Sequence, residues 1–297
     1  MILERYFSNF RDSLTIRRYN KKYKKNTAQR ILVRWLLGKE EIYEDEGEII
    51  YKNIITVKLN KNAKNKVQVD KSIFLNMLRN EKKFLVDTSL YHLHSNKGKK
   101  SLIIQLQHSL SIIRDFLFDT NFIIVGNLNI DFLGNNMVYL FKNLEEFPLE
   151  KYKAIILDSE GEIVLNESLI KKYDLFLIGG IVDIGLEWHG ATKYLFKDLN
   201  LPRAKIELEG STIGVPDRIN LLIKILLETS YLNIPLKEAI VKNQGKRDII
   251  RRLWYEIKKY SKNKNIKEED LYKILENVNL SKEKLMEFLY KNNIKII

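Results

Sequence analysis

Five short and nearly continuous apolar runs, separated by helix-like segments, occupy the middle of this 297-residue chain. The runs lie at residues 82–90, 121–128, 152–161, 173–180 and 203–208. Between them, stretches such as KKSLIIQLQHSLSIIRDFLF carry apolar residues at helical spacing. Strands that are apolar on both faces and alternate with amphipathic helices are typical of a parallel sheet covered by helices. The sequence therefore predicts an α/β domain.

The regions on either side of this alternation have a different pattern of apolar residues, and we predict a chain of three parts. Residues 1–80 are expected to form a basic, RNA-binding N-terminal module of helices and strands, because a helical pattern in TAQRILVRWLLGKE precedes two strand-like runs in EIIYKNIITVKLN. Residues 81–244 carry the α/β pattern. Residues 245–297 are predicted to be a basic helical module, since they show no strand pattern.

The net charge of +13, from 51 Lys and Arg against 38 Asp and Glu, indicates a polyanionic partner such as nucleic acid. The excess is concentrated at residues 16–30 and 242–267. We expect these clusters to contact RNA through Arg17, Arg18, Lys21, Lys22, Lys24, Lys25, Arg247, Arg251 and Arg252. The alternative is an ordinary solvated surface, because the whole chain is rich in lysine. Tyr23, Trp254 and Tyr260 lie in these clusters, where they could stack on bases or pack in a core.

Several classes of site are excluded by what the sequence lacks. The chain has no cysteine, so it forms neither disulfides nor thiolate metal sites. No window resembles a signal peptide or a membrane span, and we expect a cytoplasmic protein without a membrane partner. His92 and His94 have no third ligand at a telling spacing, so no metal is expected. The sequence also lacks the P-loop, the dinucleotide fingerprint and the G-x-S-x-G nucleophile motif.

Polar, glycine-containing turns follow three of the predicted strands. They are ILDSEG, ending at Gly161, IGGIVD, ending at Asp183, and IELEGSTIGVPD, ending at Asp217. In open parallel sheets the ligand binds beyond the carboxyl ends of the strands, so these turns should meet at one edge. Glycine permits close approach to backbone N–H and C=O groups, which suits a nucleoside cofactor. The alternative is three tight turns without a ligand, and the pattern alone leaves both open.

Three stretches of this region resemble a known family. FLIGGIVD, PRAKIELEGSTIGVPDRIN and the helix IIQLQHSLSIIRDFL are similar to the archaeal tRNA position-9 purine N1-methyltransferases of the SPOUT superfamily. The resemblance spans about residues 80–245 and is most specific in the two glycine-containing loops. It implies a parallel sheet whose C-terminal part forms a trefoil knot, S-adenosylmethionine as cofactor, tRNA as partner, and a monomer.

The resemblance also implies roles for individual residues. Asp183 matches the catalytic-site aspartate of the family, and Gln105 and Arg114 match a pair that faces the substrate base. Two positions depart from the family pattern, since Ile184 stands where lysine is frequent and Asp217 where relatives outside the archaea usually have asparagine. The cofactor would be held by Leu157, Asp158, Ile178, Gly179, Gly180, Asp183, Ile206, Leu208, Gly210, Ser211, Ile213 and Gly214.

The family resemblance therefore predicts an enzyme that methylates N1 of adenosine or guanosine at position 9 of tRNA. Guanine N1 bears a proton, so a base such as Asp183 would assist its methylation. Adenine N1 already offers a lone pair, and there the aspartate need only orient the base. Two alternatives stay open: a non-catalytic RNA-binding or chaperone protein on the same scaffold, and a methyltransferase of this fold that acts on another RNA position.

Overall fold

The computed structural model describes residues 1–19, 27–182 and 190–297. The chain forms two compact units, one of residues 1–154 and 173–195 and the other of residues 155–172 and 196–297. In chain order the helices and strands are α1 (Ile2–Ser8), β1 (Ser13–Ile16), α2 (Thr27–Leu36), β2 (Glu48–Lys52), β3 (Thr56–Leu59), α3 (Lys71–Leu78), β4 (Lys83–Asp87), α4 (Asn96–Phe116), β5 (Phe122–Val125), β6 (Tyr139–Phe141), β7 (Ala154–Leu157), β8 (Ile163–Val164), α5 (Glu167–Lys172), β9 (Leu175–Gly179), α6 (Ala191–Leu195), β10 (Arg203–Lys205), α7 (Ile219–Leu232), α8 (Leu236–Lys242), α9 (Lys246–Tyr260), β11 (Asn265–Ile266), α10 (Glu268–Glu276), α11 (Lys282–Lys291) and β12 (Lys295–Ile296). Among the described helices, none combines the length and apolarity needed to cross a membrane.

The first unit begins with a three-stranded sheet, in the order β1-β3-β2, and the helices packed around it. β2 and β3 are antiparallel, whereas β1 lies parallel to β3. Helix α3 begins cleanly because the Asp70 side chain accepts a hydrogen bond from the Ser72 N–H. The predicted helix in TAQRILVRWLLGKE and the predicted strand pair at 48–59 both form here.

A seven-stranded, mostly parallel sheet follows the alternating apolar runs, in the order β6-β5-β4-β9-β7-β10-β8. In the first unit β4 pairs in parallel with β5 and with β9, so that Asp87 lies opposite both Val125 and Gly179. Every residue of β4 and β5 is buried, which agrees with their continuous apolar pattern. The predicted α/β class is confirmed. Strands β6 and β8 were not predicted, because they are short and carry exposed residues such as Tyr139 and Val164.

Helix α4 connects the N-terminal part of the first unit to its sheet. The fully buried Gln29 side chain of α2 donates to the Leu117 carbonyl, 2.8 Å away, just after the last residue of α4. The same amide accepts a hydrogen bond from the Leu3 N–H at 3.0 Å. Because an unpaired buried backbone group costs free energy, Gln29 stabilises the end of α4 and the start of the chain together.

The second unit contains β7, β10 and β8, with β10 pairing in parallel with both of the others. Its residues after 245 surround their own apolar cluster, formed by Leu253, Ile257, Ile266, Leu271, Ile274, Val278, Leu285, Leu289 and Ile294. Three helices form in this region, as its pattern indicates, and they are joined by a short pair of parallel strands, β11 and β12, that the sequence did not indicate. A pair of two-residue strands is too short to leave an alternating pattern in the sequence.

Candidate functional site

The first candidate loop leaves strand β9 in the first unit. The Gly180 N–H donates to the Asp87 carbonyl at 2.7 Å. A Cβ atom at position 180 would lie 2.5 Å from that same oxygen, which is shorter than any real contact of this kind. Glycine is therefore required here by the close approach of the end of β4. The space beside Gly180 is filled by the protein's own backbone, whereas the sequence alone pointed to a ligand.

A carboxyl group with altered acidity lies at the same strand end. Asp87 is buried, and burial raises the pKa of its carboxyl above the ordinary value, although hydrogen bonds with Ser89 oppose the change. One carboxyl oxygen accepts the Ser89 N–H at 2.8 Å. Carboxyl groups with perturbed pKa values are concentrated at functional sites. Asp87 lies in the first apolar run of the sequence, residues 82–90, and that pattern does not reveal the change in acidity.

His94 holds the first loop through its backbone. The Nδ1 atom lies 3.0 Å from the Leu90 carbonyl, which can only accept, so Nδ1 carries the proton. Nε2 is then the acceptor for the Val182 N–H, also 3.0 Å away. Because the imidazole is only 5% exposed, this bond is shielded from water. The residue immediately before Asp183 is therefore fixed by a buried histidine that the sequence analysis considered only as a metal ligand.

Asp183 itself lies outside the described residues, as do the predicted RNA contacts Lys21, Lys22, Lys24 and Lys25. Their roles stay predictions. On the N-terminal side of that gap, Arg17 and Arg18 are described and exposed. The Arg17 guanidinium donates twice to the Ala63 carbonyl, at 2.8 and 2.6 Å, and lies over the Tyr43 ring. Arg17 thus stabilises the fold of the N-terminal part, whereas Arg18 is exposed and has no ion pair with any residue that the structure describes.

Gln105 and Arg114 both lie on α4, but they do not face the same way. Nine residues of α-helix advance by about 13.5 Å and turn through about 900°, which places the two side chains on opposite faces. Arg114 forms a bidentate ion pair with the fully buried Asp119, with both N–O distances at 2.7 Å. Gln105 is nearly buried, with its amide nitrogen 3.4 Å from the Ser101 hydroxyl. The predicted contact of this pair with the substrate base stays a prediction.

In the second unit, Asp158 directly follows strand β7 and shapes the turn there. Its carboxylate accepts the Glu160 N–H at 3.0 Å and lies 3.4 Å from the Arg203 guanidinium. The Asp158 carbonyl accepts the Gly161 N–H, so the turn closes on itself. The side chain is 5% exposed. Asp158 therefore organises its turn, and its predicted contact with a cofactor stays a prediction.

The second candidate loop, residues 206–214, lies wholly in the second unit and is closed by a pair of backbone bonds between Leu208 and Ser211. Glu209, Gly210, Thr212 and Ile213 are exposed along one side of it. The predicted cofactor residues with buried side chains, which can offer only backbone atoms to a ligand, are Leu157, Ile178, Ile206 and Leu208. The loop thus presents the backbone at Gly210, the polar side chains of Glu209 and Thr212, and one exposed apolar side chain, Ile213.

The other side of this loop is held by a buried arginine from α9. The Arg252 guanidinium donates to the carbonyls of Leu208, at 2.7 Å, and Ile213, at 3.2 Å. It also forms an ion pair with Glu256 at 2.5 Å, and both side chains are 0% exposed. Gln244 extends the same network by donating to the Gly214 carbonyl at 3.1 Å. Three carbonyls of the loop are therefore fixed by side chains that lie 30 or more residues later.

Gly214 allows that arrangement. Its φ angle is +77°, and a Cβ atom there would lie 2.4 Å from the Cβ of Arg252. Both the left-handed backbone and the close approach exclude a larger residue. The loop and helix α9 thus pack in direct contact at this glycine.

The guanidinium of Arg252, predicted to contact RNA, is 0% exposed, donates to loop carbonyls and forms an ion pair with Glu256, so it is not accessible to RNA in this structure. Arg247 and Arg251, from the same cluster, are exposed. A signal for this difference exists in the sequence: Arg252 lies four residues before Glu256 and next to Leu253, on the apolar side of the helix. The prediction considered only the charge of the cluster and did not consider which face of the helix each arginine occupies.

A shallow cleft of 580 Å³ lies beyond the carboxyl end of β5 in the first unit. It is lined by Gly126, Asn127, Leu128, Asn129, Leu140, Lys142 and Glu146. Amide groups beside apolar side chains suit a flat polar ring. The sequence analysis did not single out any of these residues.

The chain was compared with known proteins, and no family model matches it. It is 34% identical over 180 residues to the tRNA (adenine(9)-N1)-methyltransferase of Sulfolobus acidocaldarius, which covers 60% of each chain. It is 27% identical over 191 residues to the tRNA (guanine(9)-/adenine(9)-N1)-methyltransferase of Thermococcus kodakarensis, covering 54% of this chain and 46% of the relative. These matches therefore span about half of the length of the curated relatives.

The chain is also similar to solved structures of Sulfolobus acidocaldarius Trm10. A crystal structure of Sulfolobus acidocaldarius Trm10 has a TM-score of 0.61 at 27% identity and covers 82% of this chain and 98% of the other. The structure of that protein in complex with S-adenosylhomocysteine has a TM-score of 0.73 at 23% identity, covering 98% and 97%, which shows a shared fold. The resemblance inferred from the sequence is confirmed: the chain is similar in sequence to the tRNA position-9 N1-methyltransferases of these two organisms.

Proposed function

We propose that this protein is an S-adenosylmethionine-dependent methyltransferase that modifies N1 of the purine at position 9 of tRNA. The observation that carries the proposal is the 34% identity to the Sulfolobus acidocaldarius adenine-9 enzyme. Because that match spans 60% of the relative, we propose this activity for the chain and do not take it as established by the match. The +13 net charge agrees with an RNA substrate.

We also propose the finer features that the resemblance implies. These are a trefoil knot in the C-terminal part of the sheet, a division of the chain near residues 80 and 245, a monomeric state and a cytoplasmic location. The separate apolar cluster after residue 245 supports the last domain boundary. Knotted chains violate the usual rules of topology, so the resemblance supports this feature and the strand pattern does not.

The residues of the second loop fit a nucleoside cofactor. A Cβ atom at Gly210 would have open space on every side to 4 Å, so the backbone there is accessible. Ile213 is 37% exposed and offers an apolar surface next to that backbone. S-adenosylmethionine, when bound, supplies the methyl group and its positive sulfonium. Leu208 through Gly214 would bind it, and the cofactor contacts that the resemblance implies for Gly179, Gly180 and Asp183 stay predictions.

The residues of this chain would then position the target base and, for guanine, accept its N1 proton. Asp183 would accept the N1 proton of guanine, or orient adenine through its exocyclic amine without taking a proton. Holding the reacting atoms in line contributes much of the rate enhancement of a group transfer. We infer that His94 serves this purpose, because its bond to the Val182 N–H fixes the backbone that leads to Asp183.

The proposal is tested with an unmodified tRNA transcript, labelled S-adenosylmethionine and mass spectrometry of the nuclease digest. We expect 1-methyladenosine or 1-methylguanosine at position 9. A transcript with a pyrimidine at position 9 is the matched control and should gain no methyl group. Methylation at a different position of the tRNA, or none in any tRNA pool, would contradict the proposal.

Calorimetry with S-adenosylmethionine separates the enzyme from a non-catalytic RNA-binding protein on the same scaffold. We expect binding in the micromolar range, and weaker binding when Gly210 is replaced by Val, which fills the open space of the loop. A chain that binds tRNA tightly but shows no heat with the cofactor would favour the non-catalytic alternative.

A further inference from the structure

The exposed face of helix α9 combines cations with one aromatic ring. Arg247, Ile250, Arg251, Trp254 and Lys258 follow each other at steps of three, one, three and four residues and are all exposed. Side chains at this spacing lie on one side of a helix. We call this set the α9 stripe. It spans 12 residues, or about 16 Å along the axis.

The α9 stripe is positively charged because the carboxylates of the helix face the other way. Helix α9 has two acidic residues, Asp248 and Glu256, and both are buried. Within the described residues, no carboxylate lies within 4 Å of the charged nitrogens of Arg247, Arg251 or Lys258. Three cations therefore share one face, although the buried Asp248 carboxyl interacts electrostatically with Arg247. A surface of this kind fits a partner that carries regularly spaced negative charge.

Trp254 is the aromatic member of the stripe, and it is not a core residue. Its indole packs edge-to-face on Phe288 of α11, with ring centroids 5.3 Å apart, and remains 46% exposed. Phe288 supports the indole from one side only. A rigid, half-exposed ring between cations is the arrangement on which unpaired bases of RNA stack while their phosphates are contacted by basic side chains.

We propose that the α9 stripe is an RNA-binding surface on which Trp254 stacks with an unpaired base and Arg247, Arg251 and Lys258 contact the adjacent phosphates. The inference rests on the proposed function only for the identity of the RNA, which we take to be tRNA. Charge complementarity favours RNA over a second copy of this chain, because two stripes would repel each other.

The test measures tRNA binding by the full-length chain without cofactor, using fluorescence anisotropy of a labelled, unmodified transcript. Trp254→Leu should weaken binding about tenfold, and Trp254→Phe should retain most of the affinity because phenyl rings also stack. Tyr290→Leu is the matched control: Tyr290 is 84% exposed but lies about 200° around α11 from Phe288. Its affinity should equal that of the unchanged protein.

The salt dependence gives a second measurement that does not depend on Trp254. Arg251→Gln and Lys258→Gln should each lower the slope of log affinity against log salt by about 0.7 to 0.9, the value of one phosphate contact. Arg252→Gln is not a suitable control, since Arg252 supports the 206–214 loop. Lys267→Gln, an exposed lysine of the same unit, should leave the slope unchanged.

Unchanged affinity in Trp254→Leu together with unchanged slopes in both charge variants would overturn the proposal. Self-association that Trp254→Leu abolishes, without a change in tRNA affinity, would overturn it in favour of a second copy as occupant. If Trp254→Leu lowers the free energy of unfolding, Trp254→Phe and the charge variants decide the question. Failure of the proposed function would appear in a different experiment, as an absence of methyl transfer to tRNA. The binding assay contains no cofactor, so its result does not depend on methyl transfer.

Discussion

The two candidate loops, residues 178–182 in the first unit and 206–214 in the second, are held in place by different chemistry. The first depends on a neutral imidazole, His94, that accepts one backbone N–H. The second depends on a permanently charged guanidinium, Arg252, that donates to two carbonyls and is joined by Gln244 on a third. A loop with three carbonyls bonded to buried side chains should resist opening more than a loop with one N–H bonded to a buried side chain. We therefore expect changes behind the second loop to have the larger effect.

The comparison also shows how one property of glycine serves both loops. At Gly180 and at Gly214 the missing side chain makes room for the protein itself, a carbonyl oxygen in one case and Arg252 in the other. Both glycines are therefore needed for packing before any ligand is considered. Gly210 differs, because the space beside it is open.

The largest effect is expected for Arg252→Met. Loss of the guanidinium leaves Glu256 buried without its partner, which typically costs about 3–5 kcal/mol of unfolding free energy. The neighbouring Arg251→Met is the control and should change stability by less than about 0.5 kcal/mol, since Arg251 is exposed. Denaturant unfolding measures both.

The double variant Arg252→Met with Glu256→Leu sharpens this prediction. Replacing both members of a buried ion pair by apolar residues is often neutral, so most of the stability should return. The carbonyls of Leu208 and Ile213 still lack their donor, so cofactor affinity measured by calorimetry should stay reduced. Full recovery of cofactor affinity would show that Arg252 contributes to stability alone.

A smaller effect is expected for Gly214→Ala, with Gly210→Ala as its matched partner. Both positions have left-handed backbone, with φ angles of +77° and +74°. Only position 214 adds a clash, so we expect about 2–4 kcal/mol of destabilisation there and about 1 kcal/mol at position 210. Equal losses in chemical denaturation would mean that backbone strain, and not contact with α9, explains the requirement for glycine.

The smallest of the three effects is expected for His94→Phe. The Val182 N–H and the Leu90 carbonyl lose their partner, which costs about 1–3 kcal/mol and should speed amide hydrogen exchange at Val182. His92→Phe is the control, because His92 is exposed and bonds only to the Ser89 carbonyl among the contacts described for it. Exchange at Val182 that is equal in the two variants would show that His94 does not fix the first loop.

How much of the candidate site was predictable differs between its parts. The glycine turns and the strands before them follow from local pattern, since apolar runs and turn residues act over a few neighbours. Arg252 was placed among RNA contacts because a run of basic residues looks uniform in sequence. Its actual position depends on the helical rotation that separates Arg251 from Arg252 by about 100°, enough to put one in solvent and the other in the core.

The opposed directions of Gln105 and Arg114 were also within reach of the sequence, because a spacing of nine residues on a helix implies opposite faces. Strands β6, β8, β11 and β12 were not, since two or three residues cannot display a period. Their formation depends on pairing with strands that are distant along the chain. Short edge strands of this kind are decided by tertiary contacts.

By itself the sequence determined the α/β class, the order of the main strands and helices, and the family resemblance, because these follow from periodicity and from contiguous motifs. Only the tertiary structure decided why the glycines are there and which polar side chains hold the loops. His94 and Val182 lie 88 residues apart, and Arg252 and Leu208 lie 44 apart. Interactions over such separations leave no local pattern, since they exist only once the packed sheet brings the segments together.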